Sequence, residues 1–237
     1  MLQFDTAKYD FNEISTSILR FYPIGISPED EGYFSYPGIQ ELDKIVVDNI
    51  SNESNYKSRW TDFTKEIGSE VQTPLIGTTY GQNPSFSALL QLETASLDNL
   101  FRTKELHFYL SLIGPFYTIL GQDNNTVKVD EKLFRSTNYL TVSPVNEYSE
   151  VFKLVAARIE SRFTGYRFVP FGICKQKIEG LHVRYHTQHK VQTVFNALFK
   201  DNATLTSPIM GDWTFGYDDW IKADFNGIET SVELSPP

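Results

Sequence analysis

Between Leu106 and Asp130 the chain reads LHFYLSLIGPFYTILGQDNNTVKVD, two apolar runs flanking Gly114–Pro115 and then a polar cluster before an alternating Thr126–Val127–Lys128–Val129. Aromatic and β-branched residues in short runs bounded by turn formers predict strands of a packed antiparallel sheet. The strand period spans Thr73 to Val142. Its candidates are Pro74–Tyr80, Ser85–Glu93, Leu106–Ile113, Phe116–Gly121, Thr126–Val129 and Tyr139–Val142. Turn signals at Gly81–Gln82–Asn83–Pro84 and Asp123–Asn124–Asn125 separate them, and Ala95 to Lys104 reads as a loop or a helical turn.

Upstream the period is helical. Tyr22 to Gly38, broken by Pro and Gly, reads as a loop. Ile39, Leu42, Ile45, Val46 and Ile50 then recur at helical spacing, and Trp60, Phe63 and Ile67 share one face of a second helix over Tyr56–Val71. A third helix is predicted from Pro144 to Phe163, with Ser143 as its cap and Gly165 as its left-handed stop. Val151, Phe152, Leu154, Val155, Ala156 and Ile159 give it a broad apolar face, to be buried against the sheet. Strands are expected again over Tyr166–Cys174 and Thr193–Lys200. The expected fold is a single α+β domain: a mainly antiparallel sheet of about six to eight strands, covered on one face by about three principal helices. Its parts are a mostly helical 1–72, a strand-rich 73–143, a buried helix 144–164, and strands with an aromatic segment over 165–237.

Composition supports a large core. Of 237 residues 41% are hydrophobic and 14% aromatic, and each buried aromatic removes about 150–250 Å² from water. The one cysteine, Cys174, leaves no partner for a disulfide within the chain and reads as a small buried hydrophobe. No cofactor is expected, and no metal. The opening MLQFDTAKYDFNEI carries acids where a secretory leader needs bases and then an apolar run. The longest nearly apolar run, Leu110–Leu120, is about half a membrane span. A cytoplasmic location without membrane attachment is therefore expected, and the sequons at Asn49, Asn52, Asn124 and Asn202 read as loop composition.

A net charge of −9 argues against nucleic-acid binding through phosphate neutralisation. The charge is uneven. Residues 1–54 hold ten acids against three bases, 201–237 seven against one, while Arg158–Lys190 holds seven bases against two acids. Such segments can pair within the fold or face a charged partner.

Two stretches carry candidate chemistry. Leu181 to His189 contains three of the four histidines. Val183, Tyr185 and Thr187 alternate with His182, Arg184 and His186, which favours a strand over a metal-binding helix. His182, Arg184 and His186 would then share a face suited to an anionic ligand. In Gly211–Trp220, Trp213, Phe215 and Tyr217 alternate, so on an extended chain they form an aromatic ladder with Asp218 and Trp220 beside it. Trp and Tyr dominate protein-binding hot spots, and aromatics with carboxylates can also bind sugars. No Walker loop, dinucleotide fingerprint or nucleophile elbow occurs. The pattern is that of a non-enzymatic cytoplasmic module that binds another protein, such as an acidic, immunity-type inhibitor of a basic effector or a component of a larger assembly. The alternative is an enzyme or binding domain for a small anionic ligand, using the basic stretch 175–190.

Overall fold

The computed structural model describes residues 8–130, 133–183, 192–200 and 205–222. It is an α+β fold built on a seven-stranded, mainly antiparallel sheet. The strands are β1 (Leu75–Gly77), β2 (Ser85–Leu97), β3 (Leu100–Ser111), β4 (Phe116–Lys128), β5 (Phe134–Thr141), β6 (Arg167–Phe168) and β7 (Ile209–Met210). They run in the order β1-β2-β3-β4-β5-β7, with β6 beside the start of β4. Only the short β6 and β7 pair parallel, to β4 and β5.

Helices cover both faces, where one was expected. Alternation along β3 and β4 sends Phe108, Leu110, Tyr117 and Ile119 to one side and Tyr109, Phe116 and Leu120 to the other, each into its own buried cluster. The first face is closed by α5 (Asp62–Val71) and α6 (Ser149–Arg162) through Phe63, Ile67, Phe152, Val155 and Ile159. As the spacing predicted, Trp60 joins them, stacked 5.2 Å from Phe86. The second face is closed by α1 (Asn12–Phe21), α3 (Pro37–Val46), α7 (Phe171–Cys174) and α8 (Val194–Leu198). Short helices α2 (Glu31–Ser35) and α4 (Glu53–Tyr56) complete the set. Among the described residues no helix is long and apolar enough to cross a membrane.

Several local expectations change. Ala95–Lys104 is neither loop nor helical turn: β2 and β3 form one long hairpin that reverses at Asp98–Asn99, with Asp98 in the left-handed region at φ 49°, which Asp tolerates. The expected turn at Asp123–Asn124–Asn125 lies inside β4, paired on both sides to Lys104, Thr103 and Arg102 and to Tyr139, Asn138 and Thr137. Side-chain partners there replace the turn that these residues favour, Asn124 donating to Thr103 Oγ1 at 3.3 Å. The helix predicted from Pro144 starts at Ser149, because Ser143 accepts the Asp212 N–H at 2.9 Å instead of capping. Of the strand expected over Tyr166–Cys174 only Arg167–Phe168 remains, α7 following Pro170. In place of the strand expected over Thr193–Lys200 stands α8, opened by a reciprocal box between Thr193 and Asn196.

Candidate functional site

Strands β2, β3 and β4 are 12–13 residues long, about 40 Å at 3.3 Å per residue, yet the helices cover only half of that. The covered halves are buried, 85–90 on β2 and 116–121 on β4. The other halves, with most of β5, project beyond the helices and, apart from buried Lys104 and Asp123 at their base, are exposed or half-buried on both faces.

Register arranges one face of this projecting half into three cross-strand rows. Nearest the core stand Glu93, Lys104, Asp123 and Tyr139; next Ala95, Arg102, Asn125 and Thr137; at the tip Leu97, Leu100, Val127 and Arg135. Leu97 is 69% exposed and Val127, two strands along the row, 37%, with half-buried Leu100 between them. The opposite face presents Phe101 and Phe134, 44% and 53% exposed, among hydroxyls such as the Thr126–Ser136 pair at 2.8 Å.

The row next to the core is an ion cluster. Lys104, only 10% exposed at its side chain, pairs with Glu147 and has Glu93 at 3.9 Å and Asp123 at 4.0 Å. Arg102 lies 3.8 Å from both Glu93 and Asp123, while its Nε meets no acceptor. The Tyr148 hydroxyl donates to Asp123 from the start of α6. Burial first, and this hydrogen bond second, hold the Tyr148 phenol well above its ordinary range. Gly121 makes the approach possible: a Cβ there would stand 2.8 Å from the Tyr148 ring and 2.9 Å from Thr141. Two cations and three carboxylates, most with partners in place, brace the sheet where it leaves the helices. Among the described residues no group of three or more His, Cys, Asp or Glu side chains could hold a metal ion.

The residues singled out from sequence lie elsewhere. Arg184 and His186 fall outside the described residues. His182 is half-buried between buried Leu181 and Val183, and its carbonyl accepts the Tyr33 hydroxyl at 2.8 Å. The extended aromatic ladder at Trp213–Tyr217 is not formed: Asp212 turns the chain by accepting from the Thr214 N–H at 2.8 Å and hydroxyl at 2.7 Å, and Gly216 takes φ 85°. Trp213 is 51% exposed; Phe215 packs edge-on against Phe152 and Phe168. Tyr217 packs on Tyr9 at 4.9 Å, and burial pushes its phenol up to about 12. Trp220 is wholly buried, donates to the Phe168 carbonyl at 2.9 Å and stacks under the Arg167 guanidinium. Asp218 is exposed in the short 3₁₀ turn Tyr217–Trp220. This segment chiefly covers the core.

Sequence reasoning did not single out the projecting rows. Their signal was the alternation Leu100, Arg102, Lys104, hidden because Asp98–Asn99 lacks the glycine that marks most two-residue hairpins. No protein-family model, curated protein or solved structure matches this chain.

Proposed function

We propose that this chain is a non-enzymatic, cytoplasmic protein-binding module that offers the projecting half of its sheet to a protein partner. The observation that carries the reading is the contiguous tip row Leu97–Leu100–Val127, backed by Phe101 and Phe134 on the opposite face and set on the halves of these strands that no helix covers. Contiguous exposed apolar side chains rimmed by polar ones mark interaction sites, whereas single ones are ordinary. Arg135, exposed at the end of that row, would orient a partner carrying an acidic group, since charges at a rim steer and select more than they hold. An immunity-type inhibitor or an assembly component would both use such a surface.

The test is affinity capture from the source cells with the wild-type chain and with Leu97→Ser/Val127→Ser. A stoichiometric partner that the wild type retains and the folded variant loses is the expected result. Retention of the same partner by the variant would move the binding surface elsewhere, Trp213 being the next exposed aromatic to change.

A further inference from the structure

A second surface lies at the opposite edge of the sheet. β1 ends the strand order, and its ladder to β2 uses alternate residues: Gln91 donates to Pro74, Thr78 donates to Ser87, and Ile76 pairs with Leu89 between them. The N–H and C=O groups of Leu75 and Gly77 therefore point outward, and among the described residues no backbone group meets them. Beside this edge runs a groove of about 590 Å³. Its far wall is the helical stripe Tyr56, Trp60, Thr64 and Gly68, spaced four residues apart, and Leu75 and Gly77 form the near wall. Trp60 is 1% exposed, yet its indole Nε1 has no acceptor. A buried donor left unmatched in this way is rare. Lys65 is the charged side chain on the groove wall.

We infer that this groove takes an extended peptide segment of a partner protein as an added antiparallel strand, with an acidic side chain turned toward the helical wall. Outward backbone groups two residues apart are matched as a set only by another extended backbone. The helical wall carries one charge, the exposed Lys65, and a carboxylate on the added strand would match it. The inference does not depend on the projecting half of the sheet, which lies beyond the other end of the covered strands.

Proline at position 77 isolates the claim. It removes an outward N–H and leaves the β2 ladder intact, the one placement in which a strand accepts proline. Gly77 has open space around it, the nearest atom to an added Cβ being Tyr56 Oη at 3.9 Å. A phage-displayed library of random twelve-residue peptides is panned on the full chain, and the selected peptide is synthesised and titrated. The expected peptide is acidic at alternate positions, protects the Leu75 and Gly77 amides from hydrogen exchange, and binds Gly77→Pro and Lys65→Glu at least about tenfold more weakly. A library that yields no acidic peptide, or a selected peptide that leaves both amides unprotected in the wild type, overturns the inference. So does equal binding to a folded Gly77→Pro.

Discussion

Replacing Lys104 by Met tests whether the ion cluster braces the projecting strands as a unit. Lys104 and Asp123 are both 10% exposed at the side chain and 4.0 Å apart. Two unit charges at that distance attract by about 4 kcal/mol at an effective dielectric of 20, most of which desolvation offsets. Removing one member of a buried pair costs about 3–5 kcal/mol, because the other stays buried and charged. Arg102 and the Tyr148 hydroxyl still support Asp123, so Lys104→Met should cost about 3 kcal/mol. Asp123→Asn keeps an acceptor for Tyr148 and leaves Glu147 to Lys104, and should cost about 1 kcal/mol. With both changes no lone buried charge remains. The double variant should then lose about 2 kcal/mol where simple addition gives about 4, a coupling of about 2 kcal/mol. Urea unfolding at pH 7 reads all four free energies. The coupling should persist in 1 M salt, since neither charge is open to screening ions. Additivity within about 0.5 kcal/mol would refute the reasoning. Asp123 would then be a bystander, and Glu147 alone would hold Lys104.

Gly121→Ala should destabilise the fold by about 1–3 kcal/mol, the cost of overpacking, since its methyl would meet Tyr148 and Thr141 below 3.0 Å; a thermal melt equal to wild type would mean that Tyr148 has room to move. Phe101→Ser and Phe134→Ser should each cost about 1–2 kcal/mol, because about half of each ring is already exposed; a loss above about 3 kcal/mol would show that the projecting half depends on them. Burial pushes the Cys174 thiol from 9.0 up to about 12. The folded thiol keeps its proton after the unfolded one has lost it, so Cys174 stabilises below pH 9 and that contribution is lost as pH rises toward 12, by about 1.4 kcal/mol per pH unit. Urea titrations from pH 8 to 11 on wild type and Cys174→Ala check the sign, the alanine variant falling less steeply. At pH 8 the native thiol should resist a disulfide reagent that labels it at once in urea.

The covered half of the molecule was legible in the sequence because there one principle acts alone. Trp60, Phe63 and Ile67 recur at helical spacing and are buried on that face, and the largely apolar runs at Ser85–Leu90 and Phe116–Gly121 are buried strands. The projecting half was not legible, since its residues are written for turns and held as strands by partners far away. Asp123, Asn124 and Asn125 prefer local side-chain bonds to their own backbone. Here those demands go instead to Tyr148, Thr103 and the flanking strands. The same override explains α8. Thr193–Lys200 carries Val and Phe in strand-like density, but Thr193 and Asn196 cap one another, and six consecutive buried residues from Val194 to Phe199 pack equally well around a helical turn.

Why a chain should carry strands past its own core is the remaining physical question. A sheet uncovered on both faces gains little from burial and presents ladders that invite other chains, so it persists only where something else holds it. Here the ion cluster holds its base and hydroxyl and amide pairs hold its surface. If the projection were only structural, its exposed face would be most stable, and least prone to self-association, with polar residues throughout. The opposite face approaches that composition, with Thr103, Asn124, Thr126 and Ser136 between its two phenylalanines. The first face departs from it at Leu97, Leu100 and Val127, side by side across three strands. Leu97, 69% exposed, adds little burial to the isolated chain and increases its tendency to aggregate. Its contribution becomes favourable only when a partner covers the row, which is why Leu97→Ser should change capture while leaving the unfolding free energy close to where it was.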